Sequence, residues 1–274
     1  MLKEAVKGIL SEKEKEDLYG AFDQIGDIII LRIPDSLVSK KEIIGKVLLE
    51  KVKTAKSVFY QSSPVSGDFR TRKLELLAGE NKTETEYKEH GCRFIVDVEK
   101  AFFSPRLSTE RDRIANLIQD GEIVINMFGG VGMFSIIAAK KKKCMVYNID
   151  INSNATKLCE QNISLNKLVG KVESITGDAS KIIESKLTGT GDRILMLLPE
   201  RSNEFLDSAI RAAKKNGTIH YYCHIHSDKK NQVSRLAKEH FLEVMKIKAE
   251  VFGSKIVRPV GPRFYQAVID AKLF

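Results

Sequence analysis

The rhythm of apolar and polar positions changes near residue 108. Residues 1 to about 22 read as a helix with a charged face. The run IGDIIILRIP (25–34) is β-rich and stops at Pro34. DSLVSKKEIIGKVLLEKV then takes helical spacing through Ile43, Ile44, Val47, Leu48 and Val52, with Asp35 or Ser36 placed as N-cap. AKSVFYQSS is a further strand, so strand, helix and strand make a small α+β unit. The link SPVSGDFRTRKL (63–74) follows. KLELLAGE then reads as a short strand, and TETEYKEHGCRFIVDV as two strands turning near His90-Gly91.

Beyond residue 108 helices and strands alternate. STERDRIANLI is a helix with Ser108 at its cap, EIVINMF a strand, GGVG a loop and MFSIIAAKK a helix. The strand CMVYNID, the helix NSNATKLCEQNISLN and the strands VESITGD and DRILMLLP come next. SNEFLDSAIRAAKKNG is a helix closed by Gly217 as C-cap, followed by the strand TIHYYCHI and the helix NQVSRLAKEHF. MKIKAEVF and RFYQAVIDAKL, with no helix between them, predict an antiparallel hairpin at one sheet edge. The pattern predicts an α/β fold: a doubly wound, mostly parallel sheet preceded by a small α+β domain. The expected domains are 1–68, a β-rich connecting segment 69–107 that contributes to the site, and 108–274.

Composition narrows the class without naming it. Hydrophobic residues fill 43% of the 274 positions, enough for a real core and too many for wholesale disorder. A net charge of +9 suits a polyanionic partner, and suits a solvated lysine-rich surface equally well. The four cysteines, Cys92, Cys144, Cys159 and Cys223, include no CxxC spacing, which argues against a zinc knuckle or redox pair. No signal-peptide core opens the chain, and no apolar run approaches the ~20 residues of a membrane span, so a cytoplasmic protein without a membrane partner is expected. On a strand, His220, Tyr222, His224 and His226 of HYYCHIH would share a face. No second cluster converges on them, so no metal is expected.

Candidate chemistry lies in VINMFGGVGMFS (124–135). Gly129, Gly130 and Gly132 allow close backbone approach to a ligand at a helix N-terminus, but the spacing is not the GxGxxG of a dinucleotide site. Asp150, at the tip of the second strand, can accept hydrogen bonds from both ribose hydroxyls. Asp178, with the N–H of Ala179, can read an adenine edge at the tip of the third. Either aspartate alone is better explained as a helix cap. In this order the three elements suit S-adenosylmethionine.

FRTRKLELLAGENKTETEYKEHGCRFIVDVEKAFFSPRLSTER, followed by VINMFGGVGMFSI, NIDINSNA, QNISLNKL, a Leu-Pro and IHYY, resembles the archaeal/eukaryotic tRNA (guanine-37 N1)-methyltransferase family, with class I methyltransferase architecture and an archaeal source implied. The resemblance runs from about residue 25 onward and is most specific over 69–111. Wyosine-building enzymes share the scaffold. The aminocarboxypropyl transferases among them generally lack the Pro-Arg-Leu turn and later Leu-Pro, kept here at Pro105-Arg106-Leu107 and Leu198-Pro199. The resemblance implies that Glu110 is the general base, that Arg70 stabilises charge on the guanine O6 and that Arg111 lines the donor pocket. Without it, Glu110-Arg111 reads as an ordinary helix-surface pair. Asn126, Ile151, Leu197 and Pro199 complete the implied donor set.

The implied partner is tRNA at the anticodon stem-loop, not DNA, bound by a monomer. Phe102 and Phe103 would frame the splayed base. Arg72, Lys73, Arg106, Lys255, Arg258 and Arg263 are the candidate RNA contacts. The chain departs from the pattern at Asn126, where the family has an acid, and at Leu197, where it has an Asn that contacts donor and base. The family's extra N-terminal elbow-reading module is not expected. These departures leave open a wyosine-pathway methyl or aminocarboxypropyl transferase, or a non-catalytic RNA-binding relative.

Overall fold

The computed structural model describes every residue except 1–3, 5, 7, 64–66 and 68. It divides into two compact units, 1–105 and 106–274.

In the first unit, helix α1 (Glu12–Asp17) is shorter than the helix expected over 1–22, part of which falls outside the described residues. Ser11 and Glu14 cap it reciprocally. The β-rich run is a hairpin, β1 (Asp23–Ile25) and β2 (Ile28–Leu31), because Gly26 turns the chain at φ 55°. A 3₁₀ turn over Asp35–Lys40, preceded by Pro34 with no side-chain cap, replaces the expected Asp35 or Ser36 cap and leads into α2 (Lys41–Lys51). β3 (Ser57–Gln61) runs parallel to β2, and β4 (Leu74–Gly79) pairs antiparallel with β3 to complete a four-stranded sheet. Ile29, Leu31, Ile44, Leu48 and Val58 are part of its core. β5 (Glu84–Glu89) and β6 (Cys92–Asp97) form a separate hairpin. Its two-residue turn places His90 and Gly91 at φ 47° and 72°, the backbone twist that favours tight hairpins.

The second unit opens with a 3₁₀ turn over Pro105–Leu107 and α3 (Ser108–Leu117). Leu107 takes the cap position and Ser108 is the first helical residue, so the expected Ser108 cap is not formed. The seven-stranded sheet has the order β12-β13-β11-β10-β7-β8-β9. Its strands are β7 (Ile123–Asn126), β8 (Met145–Asp150), β9 (Lys171–Thr176), β10 (Gly191–Met196), β11 (Ala213–His226), β12 (Ala249–Gly261) and β13 (Phe264–Leu273). The strands from β9 to β11 are mutually parallel, and β13 lies antiparallel between β11 and β12. The expected late hairpin is present, with its second strand inserted into the sheet. Helices α4 (Met133–Lys141), α5 (Ser153–Ser164), α6 (Ala179–Ile182), α7 (Ser202–Ala212) and α8 (Val233–Val244) alternate with these strands.

α7 ends at Ala212, and Gly217 lies inside β11, so it is not the helix C-cap. The fold is a class I methyltransferase-type sheet. Its strand order reverses between β7 and β10, where open α/β sheets form a crevice beyond the strand C-termini.

Candidate active site

The loop after β7 is shaped by what its glycines touch. A Cβ on Gly129 would lie 2.1 Å from Asn148 Oδ1, and Gly132 holds φ 89° at the start of α4. Asn126 is fully buried, and its amide acts inside the fold. It donates to Ser135 Oγ at 3.1 Å and accepts from the Phe128 N–H at 3.4 Å. Ser135 donates to Asn148 Oδ1 at 2.6 Å, and Asn148 donates to the Gly130 carbonyl at 3.3 Å. Two amides and a hydroxyl thus brace the loop from beneath, without charge.

Asp150 braces it from the side, one carboxylate oxygen accepting from Gly130 N–H at 2.7 Å and the other from Asn152 N–H at 2.9 Å. A carboxylate has about four lone-pair sites, so two remain for a diol. Burial pushes the Asp150 pKa up against the pull of those two N–H groups. Ile151 beside it is 47% exposed, an apolar wall at a strand tip. Asp178 caps α6, accepting from Lys181 N–H at 3.0 Å, and places the buried Ala179 at the helix start. Leu197 and Pro199 are half-buried just past β10. Their loop is pinned through Ser202, which donates to the carbonyls of Leu198 and Tyr222. A glycine loop that tolerates no Cβ, an acid with capacity for a diol and an apolar wall fit the adenosyl moiety of S-adenosylmethionine.

The second part of the site is charged. Glu110 and Arg111, on the first turn of α3, are both buried, which removes the reading of an ordinary surface pair. Arg111 lies 5.9 Å from the Phe134 ring centroid, against α4. Glu110 accepts from Arg113 Nε at 2.8 Å on one oxygen. On the other it accepts from Arg113 Nη2 at 2.7 Å and from the Tyr222 hydroxyl at 2.5 Å. Arg113 also donates to Asp270 from Nη1 at 2.6 Å. Asp270 pairs with His220 Nδ1 at 2.5 Å, and His220 Nε2 meets Arg193 Nη1 at 2.7 Å. A guanidinium only donates, so Nε2 accepts and the proton sits on Nδ1, donated to Asp270. Arg193 closes the chain on Glu122 through Nε at 2.8 Å and Nη2 at 2.9 Å.

The pKa directions match this order. Burial drives His220 down and toward the neutral form. For Asp270, burial is opposed by the His220 hydrogen bond and by Arg113, which together hold its carboxyl well below the usual range. Burial and then Glu110 push Tyr222 well above an ordinary phenol, so it remains a donor.

The sequence did not single out Arg113, Asp270 or Arg193, and His220 and Tyr222 stood out only as a strand face considered for a metal. The available signal was a charge set among apolar strand residues: Arg193 in DRILMLL and Asp270 in QAVIDAKL. Among the described residues, no group of three or more His, Cys, Asp or Glu is arranged to hold a metal.

In the N-terminal unit, Arg70 adopts φ 52° and lays its guanidinium 4.2 Å from the Phe102 ring centroid. Phe103 is buried and packs edge-on against Tyr87, so of the two phenylalanines Phe102 carries the surface contact. Arg72 donates to Gln61 at 3.3 Å and to the Phe103 carbonyl at 3.4 Å, and Lys73 is exposed. In the second unit, Arg106 and Lys255 are exposed, Arg258 donates to Gln266, and the exposed Arg263 pairs with Asp228. No helix among the described residues is long and apolar enough to cross a membrane.

Comparison with known proteins gives this site its family. The TRM5/TYW2 methyltransferase domain matches residues 85–250, and the TYW2 N-terminal domain matches residues 2–83. The Pyrococcus abyssi tRNA (guanine(37)-N(1))-methyltransferase Trm5b is 42% identical over 92% of this chain and 74% of its own length. The Saccharolobus solfataricus tRNA 4-demethylwyosine(37)-methyltransferase Taw21 is 36% identical over 95% of this chain and 96% of its own. Among solved structures, the complex of aTrm5 and tRNALeu superposes with TM-score 0.86 at 36% identity, over all of this chain and 78% of that one. Methanocaldococcus jannaschii TYW2 in complex with AdoMet superposes with TM-score 0.68 at 27% identity, over 92% of this chain and 98% of that one. The chain belongs to the TRM5/TYW2 methyltransferase family and is an S-adenosylmethionine-dependent tRNA methyltransferase.

Proposed function

We propose that this enzyme methylates N1 of guanine 37 in tRNA, with Glu110 as the general base. The observation that carries the reading is the placement of Glu110, a buried carboxyl group at the head of α3 that accepts hydrogen bonds from Arg113 and Tyr222. Guanine N1–H is a weak acid, so the proton must leave as the methyl arrives, and a positioned carboxylate takes it. The N1 electron pair forms the new N–CH₃ bond, the S–CH₃ pair stays on sulfur, and the N1 proton passes to Glu110.

Bound S-adenosylmethionine supplies the electrophilic methyl. Gly129, Gly130, Gly132, Asp150, Ile151, Asp178 and Ala179 hold its adenosyl end, with Arg111, Leu197 and Pro199 completing the wall. Asn126 contributes by bracing the loop. Arg70, steadied on Phe102, stabilises charge developing on O6. Arg72, Lys73, Arg106, Lys255, Arg258 and Arg263 meet the anticodon stem-loop phosphates.

A second reading, methyl transfer to an imidazopurine carbon of 4-demethylwyosine at the same position, is favoured by Leu197. Its side chain offers no hydrogen bond to a base edge and suits a larger tricyclic ring. A base is needed there too, for the carbon-bound proton. A transfer assay on unmodified and on 4-demethylwyosine-bearing tRNA, with donor labelled separately on methyl and carboxypropyl carbons, separates these readings. Methyl label in 1-methylguanosine supports the first. Methyl label only on the pre-modified tRNA replaces it with the second, and carboxypropyl label overturns both.

A further inference from the structure

Glu110 has more partners than a base needs, and their arrangement defines which part of it remains reactive. Among the described residues it accepts three hydrogen bonds: two at one oxygen, from Arg113 Nη2 and Tyr222, and one at the other, from Arg113 Nε. With about four lone-pair sites on a carboxylate, one site is left, on Oε2. Arg113 cannot swing away from this arrangement, because its remaining edge is held by Asp270. Asp270 is held in turn by His220 and, behind it, Arg193 and Glu122.

We infer that Arg113 is a positioning residue for the methyl-transfer step, fixing Glu110 so that the open lone pair of Oε2 is the proton acceptor. The inference rests on the reading of Glu110 as base. It adds a residue that does not touch the target nucleotide, and an anchor drawn from three strands, β10, β11 and β13. The charged and titratable groups facing Glu110 are Arg113 from its own helix and Tyr222 from β11, with Asp270 of β13 beyond Arg113. The guanidinium fork fixes which lone pair of Glu110 stays open, so its loss must act on the rate of transfer more than on the affinity for tRNA or donor.

The test is single-turnover methyl transfer, on whichever tRNA the enzyme accepts, with donor and tRNA affinities measured beside it, for wild type, Arg113→Gln and Arg113→Lys. Arg113→Gln is expected to slow transfer by roughly 10²-fold while both affinities stay nearly unchanged, the scale of a misplaced reacting group. Arg113→Lys keeps a charged donor to Glu110 but loses the fork, so it recovers only part of that rate. An unchanged rate in Arg113→Gln, or a loss of affinity that matches the loss of rate, overturns the inference. If Arg113→Gln does not fold, Arg113→Lys decides the matter, because a wild-type rate in it would show that the fork is not needed. Glu110→Gln is the control for the underlying reading. If it retains wild-type rates, Glu110 is not the base, an outcome distinct from a base that Arg113 does not govern.

Discussion

The two halves of the catalytic unit are held together by opposite means. Beneath the glycine loop, Asn126, Ser135 and Asn148 form a neutral triad, and the loop's shape comes from backbone and from missing side chains. Around Glu110, acidic and basic groups alternate from Glu122 to Glu110 across the sheet, with a neutral histidine between them. The donor carries its own positive charge and needs a shaped surface. If Glu110 is the base proposed above, the acceptor side must hold a carboxyl group in a buried place and still let it take a proton, which calls for compensating charge. Shape is set by local packing, whereas charge compensation is recruited from wherever the fold can supply it.

Four measurements test this contrast. The strongest change is expected on the charged side. Glu110→Gln should slow single-turnover transfer by roughly 10²–10⁴-fold while tRNA affinity stays nearly unchanged. Equal rates would remove Glu110 from the chemistry.

Next, Gly129→Ala should weaken donor binding by about 10–100-fold in calorimetry, the scale of an overpacking cost of ~1–3 kcal/mol. The added methyl meets Asn148, so Asn148→Ala in the same chain should recover part of the loss. No recovery would mean that the loop is not shaped by that contact. Third, Asp150→Asn should cost the donor about 10-fold, the scale of a charge-assisted hydrogen bond. A donor affinity unchanged by the substitution would remove the diol contact.

The smallest effect concerns stability. His220 has its pKa lowered on folding, so the unfolded chain binds the extra proton first. Its contribution is present above the unfolded value of ~6.5 and is lost as pH falls below it. Asp270, also depressed, adds a second loss only below its unfolded value of ~3.9. His220→Gln can donate to Asp270 and accept from Arg193 without titrating. It should flatten the pH dependence of the denaturation midpoint between about pH 6.5 and 4. A slope that persists in the variant would place the proton uptake elsewhere.

The same contrast explains what could be read from the sequence. Strand, glycine loop, helix and the acid at the next strand tip are consecutive, so VINMFGGVGMFS and Asp150 point to a donor site without any fold in hand. The sheet class follows from the alternation after residue 108. Glu110 is different, since its place in α3 looks like an ordinary exposed turn. Only the family resemblance singled it out, because Tyr222 and the Asp270 that anchors Arg113 lie on strands far along the chain. Local grammar also misled at two ends. Gly217 carries a C-cap signature, yet β11 begins at Ala213 because parallel pairing with β10 claims the segment. Ser108 looks like a cap, yet the 3₁₀ turn over Pro105–Leu107 starts the helix one residue sooner. Asn126 stands where an acid was expected, and its neighbours Ser135 and Asn148 supply polar partners that suit an amide.

The insertion of β13 between β11 and β12 has a bearing on biosynthesis. Arg113 and Asp270 are 157 residues apart, so a ribosome synthesising roughly 5–20 residues each second leaves Arg113 with Glu110 alone for some 8–30 seconds before its second counter-ion exists. Throughout that interval α3 and the growing parallel strands have no acidic partner from β13 to bury Arg113 against, and β11 lacks its neighbour on that side. The catalytic unit therefore reaches its native arrangement only after β13 has been made, and chains arrested before Asp270 are expected to be protease-sensitive, a property that pulse proteolysis of stalled nascent chains would register.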